Sequence, residues 1–424
     1  MDCLVINGGH RLRGSLRVSG AKNAALPIMA AALLADGPSV IEDVPDLQDI
    51  QSQIDLLKML GADVERSGSS VRIEVKDTSN SHAPYDVVRK MRASICVLGP
   101  LLARRGIARV SMPGGCAIGD RPVDLHLRGL EALGASINLE NGDIVAKAKK
   151  LKGGSIFLGG NFGSTVLGTA NVMSAASLAT GTTVIESAAC EPEIVDLADY
   201  LRSMGAKISG DGTPRITIEG VSSLHGATHR IIPDRIEAGT FMIAAAITNG
   251  ELQIDNVRTD HLMAFIDRMR AVGVITESSG TGVTVSSQRN LRAASLTTQP
   301  YPGFPTDLQA QFMTLLTTAD GNSIITEKIF PDRFMHVAEL SRLGARIHRE
   351  GPTVIVEGPR QLIGAPVMAS DLRASAALVL AGLSARDTTT VNRVYHIDRG
   401  YEKIETRLKA VGADISRKDE KELD

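Results

Sequence analysis

The sequence contains no tryptophan, and aromatic residues make up only 3% of its 424 positions. Proteins that hold single-stranded nucleic acid stack the bases on aromatic side chains, so this composition argues against that class. Neither sign of charge dominates, because 46 lysines and arginines face 48 aspartates and glutamates. A net charge of −2 gives no general attraction to nucleic acid or to an anionic membrane, and we expect no partner of either kind.

Cysteine is also scarce. The four cysteines (Cys3, Cys96, Cys116 and Cys190) form no Cys-x-x-Cys pair, which predicts free thiols and no metal site. The longest apolar run, residues 24–35, is too short to span a bilayer, and residues 1–14 contain no apolar segment of a secretory signal. We expect a cytoplasmic protein without a cofactor, of undetermined oligomeric state.

An internal repeat organises the whole chain. A glycine follows an amphipathic segment at six positions (Gly61, Gly134, Gly205, Gly273, Gly344 and Gly412), with spacings of 73, 71, 68, 71 and 68 residues. A stretch in which apolar and polar residues alternate follows each glycine. This pattern predicts a helix that ends at the glycine and then a pair of strands. Alanine-rich segments further upstream, such as 24–34 and 374–383, predict a second helix that is buried on nearly all sides. The predicted fold is α/β, with two inside-out α/β barrel domains that each contain three repeats of roughly 70 residues, helices inside and sheets outside.

Chemically capable residues fall at two equivalent positions of the repeat. The first helix is predicted to begin near Lys22, Arg92, Ser164, Arg235, Asp307 and Arg373, and the second near Asp49, Arg121, Glu191, Asp260, Arg333 and Arg399. Ordinary helix capping explains the acidic residues, but a cation opposes the dipole at a helix N-terminus. The basic residues therefore predict a face of each domain that binds an anionic ligand, held between the two domains.

Residues 113–124 combine a loop rich in glycine and proline with Cys116, five residues before Arg121. A thiol near a cation can act as an acid or as a nucleophile. A surface turn with an incidental cysteine is the alternative. The repeat favours the functional interpretation, because Arg121 occupies the same repeat position as Arg333 and Arg399.

Seven strings in order along the chain are specific enough to indicate a family. They are SGAKNAA (19–25), KMRAS (90–94), GGCAIG followed by RPVDLH (114–126), YPGFPTDLQAQ (301–311), DRFMHV (332–337), DLRA (371–374) and HIDRGYE (396–402). Together they closely resemble the UDP-N-acetylglucosamine 1-carboxyvinyltransferases, a family of enolpyruvyl transferases. The resemblance runs from the first residues to the last repeat.

The resemblance implies an activity and a domain division. The enolpyruvyl group of phosphoenolpyruvate would move to the 3′-hydroxyl of UDP-N-acetylglucosamine by addition and elimination, with release of phosphate, in the first committed step of peptidoglycan precursor synthesis. One domain would be discontinuous, with residues 1–21 and 234–424. The other would contain residues 22–233 and carry the Cys116 loop.

The resemblance also implies the site residues. Cys116 would be the proton donor and Asp307 the base or hydroxyl-orienting group, with Lys22 and Arg399 as further catalytic residues. Phosphoenolpyruvate would be bound by Lys22, Asn23, Arg121, Arg333, Arg373 and Arg399. UDP-N-acetylglucosamine would be bound by Asn23, Arg92, Arg121, Pro122, Val123, Asp124, Leu125, Asp307 and the backbone of Ile329. Helix capping is a second role open to Asp307 and is compatible with the first, and Asp49 and Asp371 are either supports of the site or caps.

Three positions depart from the family pattern: Asp120 before Arg121, Cys190 in place of the usual arginine, and the segment 161–165 with Phe162. A carboxylate at position 120 would raise the pKa of Cys116 if it faced the thiol. Two alternative functions therefore stay open. One is a 3-phosphoshikimate 1-carboxyvinyltransferase, whose pattern lacks the cysteine loop. The other is a ligand-binding or regulatory relative without catalysis.

Overall fold

The computed structural model describes residues 2–113, 122–288 and 290–422, and the chain divides into two compact units. The discontinuous unit contains the described residues of 1–19 and 233–424, and the 20–232 unit contains the rest. Cys116, Asp120 and Arg121 lie outside the described residues. The domain boundaries drawn from the resemblance, after residues 21 and 233, stay a prediction.

Each repeat contributes an inner and an outer helix. Across the described residues the α-helices are α1 (Lys22–Ala31), α2 (Gln48–Met59), α3 (Tyr85–Val88), α4 (Leu98–Arg105), α5 (Asp124–Ala132), α6 (Val166–Ala176), α7 (Pro192–Ser203), α8 (Arg235–Ile247), α9 (Met263–Ala271), α10 (Gln309–Leu316), α11 (His336–Arg342), α12 (Leu372–Ser384) and α13 (Ile404–Ala410). Short 3-10 helices span Ala32–Leu34, Arg92–Val97, Thr259–Leu262, Thr306–Leu308, Val394–Arg399 and Glu420–Glu422.

The inner helices form the centre of each unit, as their alanine content predicts. In α8 every residue after Arg235 is buried, and in α12 every residue is buried except Leu372 and Ser384. Alanine suits this position because it lets helices approach closely without leaving polar atoms buried. The helices α8, α10 and α12 pack against one another in the discontinuous unit, and each unit has its own apolar core.

In the part of the chain that the structure describes, six four-stranded sheets cover these helices, three in each unit. In spatial order the sheets of the discontinuous unit are Pro366–Met368, Thr388–Asn392, Asp2–Asn7 and Asp414–Asp419; Arg13–Arg17, Glu251–Asp255, Gly282–Ser286 and Ile275–Ser279; and Ser295–Thr297, Gly321–Thr326, Thr353–Gly358 and Arg346–Glu350. Those of the 20–232 unit are Thr228–Arg230, Ser39–Glu42, Ser70–Val75 and Ala62–Ser67; His82–Ala83, Ile107–Ser111, Asp143–Lys147 and Ser136–Glu140; and Ser155–Phe157, Thr182–Glu186, Arg215–Glu219 and Lys207–Ser209.

All six sheets share one pairing pattern, a parallel edge pair followed by two antiparallel pairs. Two further pairs are short: Ala35–Asp36 with Leu224–His225, and Gly159–Gly160 with Gly163–Ser164. The common pattern confirms the sixfold repeat and the predicted inside-out α/β class. Within the described residues the four-stranded sheets stay separate, so neither unit contains a continuous closed barrel.

The last repeat is completed by the start of the chain. Asp2–Asn7 lies between Thr388–Asn392 and Asp414–Asp419, antiparallel to both. In the first repeat the corresponding place belongs to Ser70–Val75, which follows Ala62–Ser67 directly. The final repeat therefore lacks one strand of its own, which explains why residues 2–19 belong to the discontinuous unit.

Several predicted helix starts are displaced. Arg399 ends the 3-10 helix Val394–Arg399, and α13 begins only at Ile404. The backbone of Lys403 is left-handed, with a φ of 42°, and a right-handed helix cannot continue through that conformation. Arg333 likewise precedes α11, whereas Lys22 and Arg235 are the first residues of α1 and α8.

The six repeat glycines all have left-handed backbones, with φ between 85° and 105°. Alanine at such a position costs about 1–2 kcal/mol from backbone strain alone. At Gly134 an added Cβ meets nothing within 4 Å, whereas at Gly61 it would lie 2.1 Å from the carbonyl oxygen of Asp77.

We therefore expect Gly134→Ala to lower the free energy of unfolding of the 20–232 unit by about 1–2 kcal/mol, and Gly61→Ala to lower it further. Denaturant unfolding of the full chain measures both variants. Equal losses would contradict the steric part of this account.

Candidate active site

In the discontinuous unit, Asp307, Arg333 and Arg373 form a polar cluster in which one carboxylate accepts hydrogen bonds from two guanidinium groups. Asp307 Oδ1 accepts a hydrogen bond from Arg333 Nη1 at 2.8 Å, and its Oδ2 accepts from Arg373 Nε at 3.3 Å and Nη2 at 3.2 Å. Asp307 belongs to the 3-10 helix before α10, and the residue before α10 has no side-chain cap. The carboxylate of Asp307 thus faces the two arginines, and a capping role for it stays a prediction.

Both arginines are almost withdrawn from solvent, with side chains 7% and 3% exposed for Arg333 and Arg373. Arg373 lies over the ring of Tyr401, and Arg333 lies over the ring of Phe330. Arg373 Nη1 is buried and makes no hydrogen bond within the described residues. Arg373 Nη1 therefore remains as a donor that suits a further anionic oxygen.

Helix capping sets the position of Arg373. Asp371 Oδ1 accepts hydrogen bonds from the backbone N–H groups of Arg373 at 2.9 Å and Ala374 at 3.1 Å. Asp371 is thus the N-cap of α12, one of the two roles that the sequence left open. The cap offsets the unfavourable placement of a cation at this helix start.

Arg399 lies between the two helices of the last repeat, α12 and α13. It ends the 3-10 helix Val394–Arg399. Burial, together with the charge of Arg399, lowers the pKa of His396, so this histidine adds little positive charge beside the arginine.

In the 20–232 unit, Lys22 is held by Asp49. Lys22 Nζ lies 2.8 Å from Asp49 Oδ2, and the two side chains are 9% and 5% exposed. Lys22 is the first residue of α1, which has no side-chain cap, so Asp49 supplies the compensating negative charge. Asn23 follows and is exposed.

Arg92 begins the 3-10 helix Arg92–Val97 and lies near a buried histidine. Burial, with a smaller contribution from the charge of Arg92, lowers the pKa of His126 to about 3. Asn171 Nδ2 lies 2.9 Å from both His126 Nδ1 and the carbonyl oxygen of Ile95. Asn171 Oδ1 accepts from the N–H of Gly99, so the amide nitrogen donates and the neutral imidazole carries its proton on Nε2.

The predicted nucleotide-sugar segment leads into α5. Pro122 and Asp124 are exposed, whereas Val123 is buried. Leu125 lies against the short pair Gly159–Gly160 and Gly163–Ser164, since a Cβ on Gly160 would be 3.1 Å from its Cδ1. The turn of that pair carries Phe162, which is 58% exposed.

The structure adds residues that the sequence did not indicate. Burial, opposed by Asp371 and reinforced by Arg333, lowers the pKa of the His336 imidazole to about 4. Glu327, fully buried, accepts a hydrogen bond from the N–H of Ile329 at 2.8 Å. Tyr401 lies within the HIDRGYE string and His336 within the DRFMHV string, but no sequence pattern distinguishes Glu327 from core residues.

Two further observations concern metal binding and membrane-spanning helices. Among residues 2–113, 122–288 and 290–422 no group of three or more histidine, cysteine, aspartate or glutamate side chains is arranged to hold a metal ion. The helices of these same ranges include none with the length and apolar character needed to cross a bilayer.

Comparisons with known proteins agree with this architecture. The family model for EPSP synthase (3-phosphoshikimate 1-carboxyvinyltransferase) matches residues 6–408. Among solved structures, the enolpyruvyl transferase NikO from Streptomyces tendae superposes with a TM-score of 0.90 at 26% identity, over 98% of both chains. EPSP synthase from Acinetobacter baumannii superposes with a TM-score of 0.76 at 17% identity, over 99% of this chain and 100% of that one, which shows the fold alone. The chain belongs to the EPSP synthase family, the enolpyruvyl transferases.

Relatives within this family are more specific. The UDP-N-acetylglucosamine 1-carboxyvinyltransferase of Methylacidiphilum infernorum is 56% identical over 417 residues, which cover 98% of this chain and 99% of the relative. The protein of the same name from Myxococcus xanthus is 53% identical over 421 residues, with the same coverage. These relatives confirm the resemblance drawn from the seven strings.

The buried His126 predicts an acid-sensitive stability. An unfolded histidine titrates near pH 6.5, whereas the folded one stays neutral down to about pH 3. Between these values the unfolded chain binds a proton that the folded chain does not, so the free energy of unfolding falls as the pH falls, by at most about 1.4 kcal/mol per pH unit from this group.

We expect His126→Asn, which keeps an acceptor for Asn171, to lose less stability between pH 7 and pH 5 than the parent chain does. Denaturant unfolding at several pH values measures the slopes. His225→Asn, at an exposed site, serves as the matched control and should keep the parent slope. A parent-like slope in His126→Asn would contradict the pKa shift.

Proposed function

We propose that this chain transfers the enolpyruvyl group of phosphoenolpyruvate to the 3′-hydroxyl of UDP-N-acetylglucosamine, with release of phosphate. The observation that carries the proposal is the pair of buried arginines around Asp307, where Arg373 keeps a free donor. The relatives named for this reaction support it over nearly the whole chain. The reaction is the first committed step of peptidoglycan precursor synthesis, and we propose a cytoplasmic enzyme with these two small-molecule substrates.

Phosphoenolpyruvate requires two anion sites, one for its carboxylate and one for its phosphate. We assign the carboxylate to Arg333 and Arg373, whose planar guanidinium groups suit bidentate binding. The phosphate contacts are assigned to Lys22, Arg121 and Arg399, with Asn23 beside them. These cations stabilise the charge that moves to the leaving phosphate during elimination.

Addition requires removal of a proton from the sugar hydroxyl and delivery of a proton to the methylene carbon. Asp307 is the proposed base, since its carboxylate reaches the arginines assigned to the other substrate. Cys116 is the proposed proton donor. Lys22 and Arg399 complete the proposed catalytic set.

UDP-N-acetylglucosamine is proposed to contact a set that combines side chains and backbone: Asn23, Arg92, Arg121, Pro122, Val123, Asp124, Leu125, Asp307 and Ile329. The N–H of Ile329 is already donated to Glu327, so its carbonyl oxygen is the group left for the ligand. We further propose that residues 1–21 with 234–424, and residues 22–233, are the two folding domains.

The direct test is phosphate release by the purified chain. We expect release with phosphoenolpyruvate and UDP-N-acetylglucosamine together, and none with phosphoenolpyruvate alone. Release with shikimate 3-phosphate as acceptor would instead assign the chain to the 3-phosphoshikimate reaction. No release with either acceptor would leave a ligand-binding relative without catalysis.

A variant of Asp307 and a matched control test whether this activity depends on the polar cluster. Asp307→Asn preserves shape but removes the base, and we expect a loss of roughly 10²–10⁴-fold in kcat. Asp260→Asn is the control in the same unit, because Asp260 is exposed and paired with Arg258 at the surface.

The proposed role of Cys116 predicts selective labelling. Burial raises the pKa of Cys96 to about 12, burial and nearby Glu420 raise that of Cys3, and burial and Glu191 raise that of Cys190. Thiols of high pKa are poor nucleophiles near neutral pH. An epoxide phosphonate that mimics phosphoenolpyruvate should therefore add once, at Cys116.

Peptide mass spectrometry after labelling identifies the modified cysteine. Cys116→Ser should abolish the adduct, and Cys190→Ser should not change it. An adduct on Cys3, Cys96 or Cys190 would refute the assignment.

A further inference from the structure

Glu327 is a fully buried carboxylate that lies directly after the strand Gly321–Thr326. No lysine, arginine or histidine of the described residues forms an ion pair with it. A buried carboxylate without a cation is costly unless several donors surround it. The arrangement of its donors therefore indicates what this residue does.

The two oxygens of Glu327 have different partners. Oε1 accepts from the hydroxyl of Thr298 at 2.7 Å and from the backbone N–H groups of Ile329 at 2.8 Å and Phe330 at 3.0 Å. Oε2 accepts from the hydroxyl of Thr306 at 2.9 Å. One side chain thus connects the segment before α10 to the segment that contains Ile329.

The Thr306 branch leads directly to the proposed base. Thr306 precedes Asp307 in the same 3-10 helix, and its Oγ1 accepts a hydrogen bond from Arg333 Nη1 at 3.1 Å. The same Nη1 donates to Asp307 Oδ1. Because the Thr306 hydroxyl donates its proton to Glu327, its lone pairs are directed to Arg333.

We propose that Glu327 is a positioning residue for the reaction: through Thr306 it holds Arg333 and Asp307 in their relative orientation. This inference rests on the proposed function. Glu327 touches no substrate in this scheme. Its contribution is to fix the hydrogen-bond direction of Thr306, so that the base and the carboxylate-binding arginine are already oriented before substrates arrive.

Glu327→Gln tests the proposal because the amide is nearly isosteric. Its oxygen can keep the three donors of Oε1, but its NH₂ group then faces Thr306 and cannot accept the hydroxyl proton. Thr306→Val removes the same hydrogen bond from the other side, together with the one that Thr306 Oγ1 accepts from Arg333 Nη1. We expect Glu327→Gln to lower kcat by about tenfold, the effect of losing one hydrogen bond in the transition state, and Thr306→Val to lower it at least as much. The KM for UDP-N-acetylglucosamine should stay within about twofold, since the Ile329 contact is preserved.

The double variant distinguishes positioning from general destabilisation. If Glu327 acts only through Thr306, Glu327→Gln with Thr306→Val should lose no more activity than Thr306→Val alone. Thr298→Val removes a hydroxyl from the opposite oxygen of the same carboxylate, so it is the matched control and should keep kcat within about twofold of the parent.

Parent-like kcat in either single variant, additive losses in the double variant, or an equal loss in Thr298→Val would overturn the proposal. Thr306→Val keeps the test decisive if Glu327→Gln does not fold. A parent chain that releases no phosphate would instead overturn the proposed function, which separates the two failures.

Discussion

Two guanidinium groups that are nearly excluded from water share a single carboxylate, and the polar part of the discontinuous unit is arranged around that constraint. Arg333 and Arg373 would be strongly unfavourable in this position without Asp307, the aromatic faces of Phe330 and Tyr401, and the Asp371 cap of α12. Within the described residues, Arg373 Nη1 is a buried donor that this arrangement leaves without a hydrogen bond.

The 20–232 unit also contains a buried cation, and an ion pair compensates its charge. Lys22 and Asp49 are both buried and neutralise each other. In each unit a buried histidine lies near an arginine, His126 near Arg92 and His336 near Arg333, and each is neutral at ordinary pH because burial lowers its pKa. A neutral imidazole can lie near an arginine without adding a second positive charge.

The repeat architecture explains why these groups come together within each unit. Inner helices rich in alanine approach closely, and the residues at their starts are brought to neighbouring positions. Asp307 and Arg373 are 66 residues apart in sequence, yet they are hydrogen-bonded because they stand near the starts of adjacent inner helices α10 and α12. The strand Asp2–Asn7, which completes the last repeat, holds the two ends of the chain in the same unit.

Periodicity along the chain was enough to predict the six repeats, the buried helices and the glycine at each helix end, because helix closure and burial depend on local residue type. Motif strings were enough to indicate the family and to name Asp307, Arg333 and Arg373. Neither could predict that Asp307 faces both arginines, or that Arg399 lies five residues before α13. Sequence patterns could not indicate Glu327 for the same physical reason. Its proposed role depends on hydroxyl and amide donors from three separate segments, which only the tertiary structure brings within hydrogen-bond distance.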